Sequence, residues 1–394
     1  MQWTHLAVAL GGVLAVTWLG LIDFAWTDYD IEALPAVDAL TSGDVGFLGQ
    51  APAYGGSLIL RAPFALAASA LGGGDLAVFR AVSIPCAMAV AILGLVIAGR
   101  MLREGRSRGA CLLVVALAAA NPVTITALEI GHPEELLCGA LAIGAVMAAA
   151  REKTLAAAVL LGLALATKAW AVLAIGPVLL ALPARRLLAL CVAGTVCSAI
   201  LAPLMLGGSS DTVVHAARQT GAFFHPWQVW WPLGEVTNLD VMGEFRAGAR
   251  AAPAWLSPIS HPLIALLVVP LSLMYRRRNK GNLGGEQLLA LLALLLLLRC
   301  GLDPWNNVYY QLPFLLSLLA WEALCRAERP PLLTMGATLA TWIVFEYLHD
   351  QHPDLLFAAA MAWMAPLAAW LARECFAPGL RLPRRRRAAQ PAYT

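Results

Sequence analysis

Apolar runs recur from Leu6 almost to the carboxyl end, separated by short polar stretches. Each approaches the roughly 20 residues that a helix needs to cross hydrocarbon. A bilayer offers backbone groups no partners, so the runs predict an all-α integral membrane protein, a polytopic helical bundle. One helix per run, with shorter pieces around Lys168, gives about twelve spans. The first run, Leu6 to about Phe24, lacks a basic leader and an Ala-x-Ala exit and reads as a retained helix. The run from Leu155 to Leu182 is too long for one ordinary span and holds Lys168 near its middle. A break there gives two short helices with the lysine at the outer rim. No internal repeat is visible.

Composition agrees with this reading. Hydrophobic residues make up 60% of the chain and charged residues only 13%, and mean hydropathy is +0.73. A soluble domain is excluded. The eight cysteines form no Cys-x-x-Cys pair and no loop cluster, which argues against a disulfide framework or a zinc site.

Sidedness follows from the basic residues, which favour cytoplasmic loops. With both termini inside, 20 of the 27 Lys and Arg fall on the cytoplasmic side. They include Arg100 to Arg108, Arg151, Arg185, Arg276 to Arg278, Arg326 and the Arg384 to Arg387 run. The expected layout is a single transmembrane domain over 1–380 in the cytoplasmic membrane, with a basic cytoplasmic tail over 381–394. The acids sort to the other face, so any chemistry is expected outside. Two outer loops are long, 25–75 and 207–257. The first carries a helical pattern over Glu32 to Leu40, a turn at Tyr54-Gly55-Gly56 and an apolar stretch, Leu58 to Leu71, with Arg61. Both helical pieces suit the membrane surface.

Candidate chemistry begins at Asp28-Tyr29-Asp30, with Glu32 just beyond. Carboxylates beside hydrocarbon are costly and usually kept for function. A helix cap accounts for one of them, Asp28 or Asp30, but not for all three. Lys168 either snorkels to the interface or is paired or ligand-binding; its mid-run position favours the second. The stretch from Phe223 to Trp231, with Trp227, Trp230 and Trp231, is either an aromatic belt or a sugar-stacking surface. Two short outer loops complete the set: Glu129 to Glu135, with His132 and Glu134, and Asp303 to Tyr310, with Asn306 and Asn307.

Taken together, these stretches resemble the GT-C superfamily of glycosyltransferases, and within it glycosyltransferase family 87, polyprenol-phosphate-mannose-using enzymes of actinobacteria. The match rests on Asp28-Tyr29-Asp30-Ile31-Glu32-Ala33 with Gly43, Tyr54-Gly55-Gly56-Ser57 through Arg61-Ala62-Pro63-Phe64, Gly131-His132-Pro133-Glu134-Glu135, Lys168-Ala169-Trp170, and Leu302 through Tyr310. The resemblance implies transfer of a sugar, mannose above all, from a polyprenyl phosphate to a lipid-linked or glycan hydroxyl on the outer face, with inversion. It implies a catalytic acid just after the first span, Asp28 or Asp30, with Asp28 ranked first. A proton must leave the acceptor hydroxyl, which suits a carboxylate base. A fixed cation would steady the phosphate leaving group; Lys168 is the first candidate and Arg61 the second. Tyr54, His132, Glu134, Glu135, Trp227, Trp230, Trp231, Asn306, Asn307 and Tyr310 are expected to bind substrate. No metal, other cofactor or nucleic acid is expected. The rival expectation is a secondary transporter or flippase, which would place its charges on broken helices at mid-membrane.

Overall fold

The computed structural model describes the chain except for residues 1–2, 23–27, 53, 209–222, 242–243, 280–284, 327–328 and 378–394. The expected basic tail and the exit of the first apolar run lie outside the described residues. Among those described, eight helices are long and apolar enough to cross a membrane: Trp3–Gly20, Asp75–Arg103, Arg108–Ile130, Arg186–Leu206, Pro258–Arg278, Gly285–Leu302, Val308–Cys325 and Pro353–Phe376. The protein is thus a helical membrane protein with several spanning-length segments. Four more apolar helices are shorter: Gly55–Ala70, Thr154–Thr167, Ala169–Ala181 and Leu332–Tyr347. At 1.5 Å per residue none of these four reaches the roughly 30 Å of a hydrocarbon core unaided.

Local chemistry sets the breaks. Asn121 caps the helix Pro122–Ile130 by accepting from the Val123 N–H, and Pro122 occupies the first helical position. Lys168 interrupts its apolar run in extended backbone, φ −148° and ψ 138°, after the helix Thr154–Thr167. A 3-10 segment, Ala169–Ala174, and a short helix, Ile175–Ala181, follow it.

Burial separates a centre from a rim. Glu134–Ala149 packs against Thr154–Thr167, Asp75–Arg103 and Gln311–Cys325, and Leu288–Leu302 packs against Gln311–Cys325 and Pro353–Phe376. The segment Val308–Cys325 is 89% buried, whereas Arg186–Leu206 and Pro258–Arg278 are only 17% buried. Exposed apolar faces of that extent suit lipid and not water.

The 207–257 segment departs from the all-α expectation. Strands β1 (Phe223–Phe224), β2 (Glu235–Val241) and β3 (Glu244–Ala251) form an antiparallel sheet in the order β1-β3-β2. Phe224 lies opposite Arg250, and Glu235 opposite Ala251. A satellite core of Phe224, Trp231 and Leu256 supports it.

Contacts sort the bundle into two ends. At one, Arg100 pairs with Glu286, Arg106 donates to the Ala323 carbonyl and Arg326 pairs with Glu374. At the other end Asp28, Arg61, His132, Lys168 and Arg299 come together through two glutamates.

Candidate functional site at the Asp28 end

Glu134 and Glu135 open the helix Glu134–Ala149, where the positive end of the helix dipole favours acids. Both side chains are fully buried. Consecutive helical residues point about 100° apart, so the two carboxylates take different partners. Glu134 Oε1 lies 2.7 Å from His132 Nδ1 and 3.0 Å from Lys168 Nζ, and its Oε2 is 3.6 Å from Arg61 Nη2. Glu135 Oε1 lies 3.3 Å from Arg299 Nη2 and 3.7 Å from Lys168 Nζ. Lys168 therefore bridges the pair. Isolated charges in such surroundings would be prohibitive, and mutual pairing makes them tolerable.

His132 carries the network outward. Its Nε2 lies 2.9 Å from Asp28 Oδ2. Gly131 permits this approach: it adopts φ +103°, and a Cβ there would sit 2.5 Å from the Tyr29 backbone nitrogen. Just after Asp28 the backbone winds into a π-helix, Tyr29–Ala33, an uncommon turn often found at functional sites. Tyr29 stacks on Phe79 with ring centroids 4.1 Å apart, which anchors that turn. Burial opposes charge on the His132 ring, but Glu134 and the hydrogen bonds to Asp28 and Glu134 prevail. The imidazolium is held up to about 9, above its usual 6.5.

Aromatic faces complete the setting. The Lys168 ammonium lies 4.1 Å from the centre of the Tyr54 ring, and Arg299 sits between Tyr310 at 4.1 Å and Trp170 at 5.0 Å. Such cation–π contacts hold the cations without neutralising them. Tyr309 leans on His132, with centroids 4.0 Å apart. The helix Gly55–Ala70 reaches the site because Gly56 lets it rest on the Ala166 carbonyl, two residues before Lys168.

Accessibility ranks the charged groups. The Asp28 side chain is 40% exposed and that of Lys168 14%, against 2% for Arg61 and 6% for Arg299. Inside stand four positive groups, Arg61, His132, Lys168 and Arg299, with two buried acids. Asp28 stands at the mouth. Glu32 is exposed on the π-helix beyond it.

Several expected site residues thus come together: Asp28, Arg61, Tyr54, His132, Glu134, Glu135, Lys168 and Tyr310. Arg61 is fixed in place, donating to the Ser57 carbonyl at 3.2 Å and to Ser57 Oγ at 3.0 Å. Asp30 is half-buried on the π-helix one residue past Tyr29. The tryptophans and asparagines form a different constellation. Trp231 is buried, donating to Asp354 Oδ1 at 2.7 Å with the Arg250 guanidinium 5.2 Å from its ring, so it has no open face for a sugar. Trp230 Nε1 donates to the Leu302 carbonyl at 2.7 Å. Trp227 packs against Phe345, and its carbonyl accepts from Asn306 Nδ2 at 2.7 Å. Asn306 is fully buried and also accepts from Gln311 Nε2, while Asn307 caps the turn Val308–Tyr310. These residues pin the 223–233 stretch onto the 301–311 loop.

Sequence reading assigned no role to Arg299. Its signal was present: a lone cation in the leucine-rich helix Leu288–Leu302, the same signature as Lys168. Among the described residues no group of three or more His, Cys, Asp and Glu side chains converges as a metal site would need.

Fold and site together define a multi-pass helical membrane protein with a buried ion network at one end of its bundle. Compared with known proteins, the chain matches no family model and no curated sequence.

Proposed function

We propose that the protein is a membrane glycosyltransferase of the GT-C kind, moving a sugar, mannose in the first instance, from a polyprenyl phosphate to a hydroxyl acceptor. The observation that carries this reading is the hydrogen-bonded chain Asp28–His132–Glu134–Lys168. It sets a partly exposed carboxylate at the mouth and cations deeper in.

In this reading Asp28 takes the acceptor's proton as its oxygen attacks the anomeric carbon. A base of this kind contributes on the order of 10²–10⁴ in rate. His132 orients Asp28, and Glu134 holds His132. Lys168 is the most accessible of the three Lys and Arg cations and meets the leaving phosphate; Arg61 and Arg299 lend their field from behind. The site then lies on the outer face, opposite the arginine-rich loops. With Glu134–Ala149, Thr154–Thr167, Ala169–Ala181 and Leu332–Tyr347 also entering the membrane, and Gly55–Ala70 lying along its surface, the number of crossings approaches twelve.

The transporter reading has one observation in its favour, a charged residue at a helix break. Below the network, however, Leu289 to Leu297 and Leu312 to Leu319 fill the centre with buried leucines. Ser317, buried there, is already bonded to the Leu289 carbonyl. A polar substrate has no ready path through that packing.

The test uses membranes containing the protein and radiolabelled polyprenyl-phosphate mannose. Label is expected to pass to a lipid or glycan product with wild type and to fall at least about 100-fold with Asp28→Asn. Undiminished transfer by that variant would overturn the assignment of the base. Uptake of a free solute without transfer would favour the transporter.

A further inference from the structure

We propose that Glu32 recognises the donor sugar, accepting a hydrogen bond from the ring hydroxyl next to the anomeric carbon. The inference rests on the glycosyltransferase reading and extends it to a residue so far without a role. Asp28 precedes the π-helix Tyr29–Ala33, and Glu32 lies within it four residues on. A π-turn closes between residues five apart, so positions four and five apart share a side. Contacts agree. The Tyr54 hydroxyl is buried without a well-aligned partner, and the Glu32 carboxylate is the hydrogen-bonding acid beside it. The ring of the same tyrosine has the Lys168 ammonium 4.1 Å from its centre and meets the His132 ring edge-on at 5.6 Å. Tyr309, which leans on His132, feels the charges of both Asp28 and Glu32, and Lys168 feels that of Glu32. The mouth of the network therefore presents two carboxylates and not one.

Their circumstances differ. Asp28 is engaged by His132 at 2.9 Å. Glu32 is exposed, and among the described residues no cation forms an ion pair with it. A carboxylate has about four lone-pair sites on its two oxygens, so a bond from Tyr54 leaves Glu32 room to accept more. Hydroxyls are what a sugar ring offers in quantity, and their bonds to an ionised acceptor are about twice as strong as neutral ones. Position selects the hydroxyl. In the proposed reaction Lys168 meets the phosphate on the anomeric carbon. Tyr54 ties Glu32 to Lys168, so the hydroxyl within reach is the one on the neighbouring carbon. A hydrogen bond there strengthens as positive charge grows at the anomeric carbon, so it acts on rate as well as on binding.

The experiment compares radiolabelled polyprenyl-phosphate mannose with its 2-deoxy analogue in membranes containing wild type, Glu32→Ala or Glu32→Gln. Glu32 is exposed, so both variants should fold. The preference for mannose over the 2-deoxy donor, measured as the ratio of kcat/KM values, is read in each protein. Comparing proteins cancels the intrinsic reactivity of each donor. The ratio is expected to drop about 10- to 100-fold in Glu32→Ala, the worth of one charged hydrogen bond. Glu32→Gln keeps a neutral acceptor and should fall between the two. Wild type that transfers mannose, with an unchanged ratio in Glu32→Ala, would overturn this proposal alone. Equal slowing with both donors would make Glu32 a support for Tyr54 and overturn it as well. Wild type that transfers neither donor would overturn the proposed function and this proposal with it.

Discussion

The two ends of the bundle use charge in opposite ways. At the Asp28 end Glu134 and Glu135 are shut away from solvent and share Arg61, His132, Lys168 and Arg299. At the other end Arg100 meets Glu104 and Glu286, and Arg326 meets Glu374, with all five side chains 16–40% exposed. Exposed pairs contribute about 0–1 kcal/mol and serve topology and lipid contact. A buried network of this size is a poor way to gain stability, since well-packed apolar residues would do as well or better. Its presence in a chain that is 60% hydrophobic is the feature that the proposed function accounts for.

The comparison can be broken most severely at Glu134. Glu134→Gln keeps the shape but leaves His132, Lys168 and Arg61 without their common anion. Removing one partner of a buried ion pair costs about 3–5 kcal/mol, and the drop is expected in thermal unfolding. A change below about 1 kcal/mol would mean that the network is not a unit.

Lys168→Met comes next. A snorkelling lysine would be lost without harm. A bridge between Glu134 and Glu135 is expected to destabilise when cut, and under the proposed function to weaken donor binding as well. Lys168→Arg restores the charge with altered geometry and should recover part of both effects. Stability equal to or above wild type in the methionine variant would return the lysine to the snorkelling role.

A smaller effect is expected from pH. The folded His132 imidazolium is held up to about 9, above the unfolded 6.5. Stability from its charge is therefore complete below about 6.5 and is lost as pH rises toward and through 9. Unfolding temperatures should fall over that window in wild type and less so in His132→Gln. Parallel pH profiles for the two proteins would count against a charged His132. The smallest effect belongs to the opposite end: Arg100→Gln should change stability by no more than about 1 kcal/mol and leave transfer untouched.

The sequence disclosed those parts of the site whose cost is local. A lysine in mid-run and three carboxylates at the edge of an apolar segment stand out whatever they touch, and the break at Lys168 followed from run length. Partnerships were another matter. Asp28 and His132 are 104 positions apart, and Arg299 and Glu135 are 164 apart. No periodicity reports contacts of that range. The sheet was hidden for a related reason. β3 does alternate, with Phe245, Ala247, Ala249 and Ala251 between Glu244, Arg246 and Arg250, but its apolar positions are mostly alanine, a weak strand former, and the alternation of β2 slips where the register shifts between Thr237 and Leu239. The tryptophan cluster left two readings open because an aromatic face is useful only if open, and around Trp231 and Trp227 that is decided by Asp354, Arg250 and Phe345 from distant segments.

The order in which the network's members leave the ribosome follows from their numbering and sets a constraint on biogenesis. Arg61 precedes Glu134, so that acid enters the membrane with one cation already waiting. Glu135 has no such advance partner in this network; Lys168 follows it by 33 positions and Arg299 by 164. Until Lys168 arrives, Glu135 must either carry a proton or remain in water at the membrane surface. Where Glu135 stays ionised, the helix that begins at Glu134 reaches its final depth only after Lys168 has been made, and its docking closes the centre of the bundle late.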